Sequence, residues 1–294
     1  MNDRASSPLL QFSDSLAALA ASVAPAIVSA RSHHARSSGF LWRPGLIVTA
    51  EEALAEEGEI GIELAGGETV PAKLAGRDPT TDIALLRIER TDLAQASLAS
   101  TNAAAGALAL VVGAAEGAPL VALGIQSRVG PAWRSMRGGD IDSRIELALS
   151  LRRQAEGGLV LDAAGRAFGM AVFGPNKRVL VIPAATIERV AARLSADGRI
   201  ARGYLGLGLR PVAVAGGSAE GAMVMSVDAK GPGAAAGFHQ GDVIVAWDGQ
   251  PIGRLHSILR ALGPDSVGRA VEIGLRRAGE AKQLSLTIGE RPAA

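Results

Sequence analysis

Two acidic residues stand at turns where a charge is costly unless something there uses it. Asp82, in RDPTTDIALLRIE, immediately precedes an apolar run. Glu156, in RRQAEGGLVLDAAGRAFGM, follows the strand-like run IELALSLRR and sits just before a Gly-Gly turn and a second apolar run. A third stretch, SSGFLWRPGLIVTAEEAL, reads as a hairpin leading into a short polar turn. Side chains presented at such turns can orient a base, move a proton or carry a nucleophile. The nucleophiles on offer are few. With no cysteine in the chain, disulfides, thiolate catalysis and cysteine metal sites are excluded. The four histidines, His33, His34, His239 and His256, lie outside these three stretches, and RSHHARSS reads as a solvated turn. Ser143 and Ser150 flank or occupy a strand-like run and lack the Gly-Gly turn that would expose a hydroxyl.

The elements that must position these residues are short. From Ala26 to about Ile182 the chain alternates apolar runs such as AIVSA, GFLW, LIVTA, IALLRI, LALVVG and GLVLD with Gly, Pro, Asp and Asn. That spacing predicts an all-β barrel or sandwich, not βαβ units. GIELAGGETVPAKL and LVLDAAGRAFGM each read as a hairpin. Length and composition are those of a globular chain of one or two domains: 294 residues, 48% hydrophobic and 20% charged. A net charge of +1 with no polybasic block argues against nucleic acid and anionic membrane as partners.

Two helices frame the β region. Ser13 to Val23 reads as an amphipathic helix capped by Ser13, with Leu16, Leu19, Ala20 and Val23 on one face. Asp3, Gln11, Asp14 and Ser15 interrupt the apolar stretch that an export signal needs, so a cytoplasmic protein without a membrane span is expected. The second helix starts at a Thr186 cap, buries Ile187, Val190, Ala191 and Leu194, and ends at Asp197-Gly198. A new unit then begins near residues 198–202. Its strands and two short helices make a small α+β domain. The expected division is an N-terminal segment 1–24, a β domain 25–200 and a second domain 201–294.

Taken in order, the three stretches resemble the chymotrypsin-like proteases of the HtrA (DegP-like) family. GYLGLGL followed by AAAGFHQGDVIVAWDGQPI is similar to the PDZ domain that follows the protease domain there. The resemblance covers roughly residues 25 to 290 and implies a mainly β fold: a double β-barrel of chymotrypsin-like type, then a small α+β PDZ domain.

At the implied catalytic positions the chain departs from the family pattern. VTAEE puts Glu52 at the general-base histidine, Asp82 keeps the orienting aspartate, and QAEGG puts Glu156 at the nucleophilic serine and Gln154 at the oxyanion-hole glycine. The separations, 30 residues from Glu52 to Asp82 and 74 from Asp82 to Glu156, are close to the family's own. Acyl transfer needs a nucleophile, a base and preorganised N–H donors. Glu156 has no hydroxyl, and Gln154 adds a side chain where glycine gives the turn its freedom. The expectation is a pseudoprotease without serine-protease activity; the alternative is an active HtrA-like endopeptidase. A lesser alternative is a divalent-cation site made by Glu52, Asp82 and Glu156, against which Arg152, Arg153 or Arg77 would neutralise the acids. No cofactor or metal is otherwise called for.

For the second domain the resemblance implies β-augmentation. A C-terminal or unfolded peptide would add a strand beside Tyr204-Leu205-Gly206-Leu207, with its carboxylate on backbone N–H groups. Leu205 and Leu207 would line one face of its pocket, and the helix RLHSILRAL, with His256 near its start, would form the other wall. The resemblance also implies a homotrimer.

Overall fold

Strands buried on one face alternate apolar and polar residues, whereas strands buried on both faces are apolar throughout. The chain uses both kinds. The computed structural model describes residues 7–33, 35–55, 58–100, 104–213, 220–252, 255–263 and 266–292, apart from the side chains of Glu220 and His256. Two compact units result, Met1–Ile200 and Ala201–Ala294.

In the first unit, helix α1 (Pro8–Val23) leads into strands β1 (Ile27–Ser32), β2 (Ala35–Arg43), β3 (Leu46–Thr49), β4 (Ile60–Glu63), β5 (Thr69–Asp78) and β6 (Ile83–Arg87). These close into a barrel in the order β1-β2-β3-β6-β5-β4. Next come β7 (Leu108–Ala115), β8 (Ala118–Gly130), the small hairpin of β9 (Trp133–Arg134) and β10 (Asp140–Ile141), β11 (Arg144–Ala148), β12 (Leu159–Leu161), β13 (Ala167–Phe173) and β14 (Val179–Pro183). Six of them form a second closed barrel, ordered β11-β14-β13-β12-β7-β8. Helix α2 (Ala184–Asp197) completes the unit.

The two-sided burial explains the unbroken runs. Along β6, Ala84 and Leu86 join the cluster around Ile47 and Ile62, while Ile83 and Leu85 join a second cluster with Phe40, Val112 and Leu159. Along β12, Val160 packs with Val111 and Phe168, and its neighbours Leu159 and Leu161 turn the other way. α2 lays Ile187, Val190, Ala191 and Leu194 onto that shared cluster. Truncating a fully buried aromatic such as Phe40 to alanine there costs about 3–5 kcal/mol.

Both helix starts differ from expectation. α1 begins at Pro8, after Ser7, because proline suits the first helical turn where its missing N–H is not needed; Ser13 lies inside the helix. The expected apolar face holds, with Ala20 buried and Leu16, Leu19 and Val23 packed against the core. α2 begins two residues before Thr186, whose hydroxyl is bound to the Asp142 carboxylate instead of capping its own helix. Gly198, in the left-handed region, closes α2 with its N–H on the Leu194 carbonyl.

The second unit runs β15 (Gly203–Tyr204), β16 (Leu207–Ala213), β17 (Glu220–Val227), α3 (Pro232–Ala235), β18 (Val243–Trp247), β19 (Gln250–Pro251), α4 (Leu255–Ala261), β20 (Ala270–Arg277), β21 (Glu280–Thr287) and β22 (Gly289–Glu290). Its main sheet has the order β16-β17-β18-β20-β21, with β19 beside β18 and β16 at one edge. Val224, Ile244, Ile273 and Ile258 of α4 form its core.

Candidate functional site

Asp82 is positioned by the turn before it. The Asp78 carboxylate accepts the hydroxyls of Thr80 and Thr81 and the Thr80 N–H, which folds DPTT into a tight polar turn. Asp82 then takes a left-handed conformation (φ 56°) and enters β6. Its Oδ1 accepts the Glu52 N–H at 2.8 Å. Burial pushes its carboxyl up to about 7; the N–H of Glu52 opposes this, and the charges of Glu52, Glu156 and Glu51 add to it.

Glu52 itself is half-exposed and pairs with Arg137 at 3.0 Å. Glu51, which sequence reasoning passed over, is the buried member of the pair. It meets Arg77 at 3.2 Å and Arg137 at 3.9 Å. Burial raises its pKa although both guanidiniums pull it down. Arg137 also donates to the Pro79 carbonyl, so the β9–β10 hairpin is tied to the Asp82 turn. The sequence signal was the glycine pair that follows. A Cβ at Gly139 would collide with the Thr80 carbonyl, so only glycine lets the hairpin lie so close. Of the expected neutralising arginines, Arg77 reaches Glu51, and Arg153 acts on Glu156 by charge.

The Glu156 turn is held from beneath by Ser38 of β2. Ser38 Oγ donates to the Gln154 carbonyl at 2.6 Å and accepts the Ala114 N–H, and Ser38 N–H donates to the Glu156 carbonyl at 2.7 Å. Gly157 is left-handed (φ 84°), and a Cβ there would strike the Ser38 carbonyl, which accounts for the first glycine of the pair. Residues Arg153–Ala155 form one 3-10 turn. Within it the Glu156 N–H donates to the Arg153 carbonyl at 3.1 Å, and the Ala155 N–H to that of Arg152 at 2.9 Å.

The Glu156 side chain is largely closed to water. The residue is 4% exposed, and Oε1 accepts the Phe173 N–H at 3.1 Å. That bond makes the burial tolerable. Burial raises its pKa, with Phe173 and Arg153 lowering it and Glu52 raising it. Two clefts flank the site. One, of about 680 Å³, is lined by Glu52, Glu156, Ser150, Arg153, Phe173 and Lys177. The other, of about 800 Å³, is lined by Glu52, Asp82, Arg137, Trp133, Phe173 and Leu180, among others.

So Glu52, Asp82 and Glu156 are brought together at one place, close enough to act on one another electrostatically. Among the described residues no three acidic or histidine side chains are placed to hold a metal ion, and no histidine lines either cleft. Glu52, Asp82 and Glu156 themselves offer carboxylates, met by the guanidinium of Arg137 and the charge of Arg153, and none of the three carries a hydroxyl.

In the second unit, Gly206 is left-handed (φ 69°) and a Cβ there would lie 2.9 Å from the Gly231 Cα. The Gly206 carbonyl accepts the Asp228 N–H and the Leu205 carbonyl accepts the Gly233 N–H, so this loop is pinned through its carbonyls. Tyr204 donates to the Asp228 carboxylate at 2.9 Å, which strengthens the hold. Leu205 departs from expectation: it is buried in the core, and Leu207, half-buried, packs against that same core. α4 packs against β16 and β17, leaving the outer edge of β16 unpaired among the described residues. The side chain of His256 lies outside the described residues.

Comparison with known proteins returned two family matches, a trypsin-like peptidase domain over residues 37–170 and a PDZ domain over residues 203–288. The chain is 28% identical over 284 residues to a Bartonella henselae protein named "Probable periplasmic serine endoprotease DegP-like". It is 28% identical over 276 residues to one of the same name from Rhizobium meliloti. The alignments take in 89% and 88% of the chain, which spans only 55% and 54% of those relatives. Among solved structures, the HtrA-type protease AlgW with decapeptide superposes with a TM-score of 0.72 at 23% identity, over 95% of this chain and 99% of that one. The serine endoprotease from Yersinia pestis gives 0.72 at 24%, over 94% and 98%. The relatives' periplasmic names overturn the cytoplasmic expectation. The helical stretch Pro8–Ala26, at the N-terminus, has the length and mean hydropathy (1.2) of a signal sequence or a span. Gln11, Asp14 and Ser15 interrupt this stretch without removing its apolar average.

Proposed function

This chain belongs to the HtrA family, a trypsin-like peptidase domain followed by a PDZ domain, and from that premise we propose that it is a pseudoprotease. Its first unit keeps the protease scaffold without the means of acyl transfer, and its second captures C-terminal peptide ends. One observation carries the first half. At the turn where the family resemblance implies the nucleophile stands a buried glutamate whose own N–H is spent on the Arg153 carbonyl. Nucleophile and oxyanion donor are thus both missing from one turn. Glu52 in place of the general base points the same way.

The second half rests on the open edge of β16 and on a loop, Tyr204-Leu205-Gly206-Leu207, pinned by its carbonyls. Among the described residues the N–H groups of Leu205 and Gly206 make no hydrogen bond. Such N–H groups suit a peptide carboxylate, and the edge suits an added strand.

A second reading, an active serine endopeptidase, draws its support from the relatives, which are named endoproteases. It requires another hydroxyl in the cleft, and Ser150 lines the cleft that Glu156 lines. Incubation with a serine-reactive fluorophosphonate and an unfolded casein substrate separates the two. The pseudoprotease reading expects neither labelling nor inhibitor-sensitive cleavage. Labelling that Ser150→Ala abolishes would establish the second.

A further inference from the structure

The alternation of β16 carries a specificity that its open edge alone does not. β16 pairs with β17 through Leu207↔Val227, Gly208↔Ser226, Leu209↔Val224, Arg210↔Met223 and Pro211↔Ala222. Leu207 and Leu209 turn inward, against the core that α4 also covers. Gly208 and Arg210 therefore face the opposite side, since successive side chains in a strand point to opposite faces. Arg210 is exposed there and makes no hydrogen bond or ion pair among the described residues. It is opposite Met223, and the bulged residue Met225 stands exposed nearby, so the residue facing it across the ladder carries no charge.

Backbone direction alternates as well. Leu207, Leu209 and Pro211 present their backbone groups to the same side. A proline in an edge strand belongs where its missing N–H faces the open edge, because facing β17 it would remove a ladder bond at the Pro211↔Ala222 pair, beyond the bulge at Met225. Leu207 and Leu209 thus offer N–H and C=O to an incoming strand, and Pro211 ends the run. A peptide whose carboxylate sits at the Leu205–Gly206 N–H groups runs antiparallel to β16. Its last residue lies opposite Leu207, the next two opposite Gly208 and Leu209, and the third residue upstream of its end opposite Arg210.

We infer that the second unit selects C-terminal peptides carrying a carboxylate side chain three residues before the terminal residue, with Arg210 as the specificity-determining residue. The inference rests on the peptide-end reading above. Gly208, opposite the penultimate residue, adds no charge of its own, so the acidic preference is confined to that one position.

The test uses the full chain and fluorescein-labelled decapeptides with one apolar terminal residue and Glu, Ala or Lys at the third position upstream, read by anisotropy. Cross-strand charge pairs contribute modestly, so the Glu peptide is expected to bind about two- to fivefold tighter than the Ala peptide, and the Lys peptide weaker than both. Arg210→Ala should level the three, and Arg210→Glu should reverse their order. Equal affinities for Glu and Lys, or a preference that survives in Arg210→Ala, overturn the inference while leaving the peptide-end reading intact. If amidated and free-acid peptides bind alike, or none binds, that reading falls and the inference with it.

Discussion

Ser38 Oγ donates a 2.6 Å hydrogen bond to the carbonyl of Gln154, joining two residues 116 positions apart. A hydroxyl with no exposure at all thus sets the conformation of the turn that ends in Glu156. The same hydroxyl accepts the Ala114 N–H from β7. The turn is consequently a fixed part of the barrel core, not a loop free to rearrange.

Restoring the family's side chains should therefore not restore chemistry. The double variant Glu52→His/Glu156→Ser regains a base and a hydroxyl, but its residue-156 N–H stays committed to the Arg153 carbonyl. Losing one oxyanion donor costs about 10²–10³ in rate. Fluorophosphonate labelling of the double variant should remain at background; prompt labelling would mean that the turn opens at little cost.

Ser38→Ala leaves the buried Ala114 N–H without its acceptor. An unsatisfied buried donor costs about 1–3 kcal/mol. A fall in melting temperature and in urea midpoint is expected. An unchanged midpoint would show that the turn does not depend on the hydroxyl.

Asp82 predicts a pH dependence of stability. Its folded pKa, about 7, stands above the ordinary 3.8, so between these values the folded chain holds a proton that the unfolded chain has lost. Its contribution is fully present below about pH 4 and is lost as pH climbs through 7. Asp82→Asn keeps the acceptor for the Glu52 N–H and removes the ionisation. The variant's melting temperature should therefore gain on the unsubstituted protein between pH 5 and pH 8. A gap that stays constant across that range would refute the assignment.

In the second unit, Arg277 forks onto the Asp242 carboxylate with bonds of 2.7 and 2.8 Å and also reaches the Gly237 carbonyl. Asp242 is 1% exposed, and Arg277 holds its pKa below the usual range. Arg277→Ala leaves a buried carboxylate with the His239 N–H as its remaining partner among the described residues, at a cost of about 3–5 kcal/mol. Because that pKa is lowered, the pair's stabilisation is present above about pH 4 and disappears as the carboxylate protonates in acid. Denaturant melts at pH 7 and pH 3 should show the variant's deficit shrinking at the lower pH.

The amino-acid sequence by itself determined the barrels, through apolar runs and turn residues, and determined that no serine stands before the Gly-Gly pair, because residue identity needs no coordinates. Helix starts were misread where a local cap motif yielded to a tertiary partner, as Thr186 did to Asp142. The tertiary structure alone decided that Glu51 is the buried acid and Glu52 the exposed one. It likewise decided that Arg137 reaches both, and that Leu205 turns into the core. Those outcomes depend on groups brought together by barrel closure, such as Ser38 and Gln154. A strand pattern with a period of two residues carries no record of a hydrogen bond spanning 116.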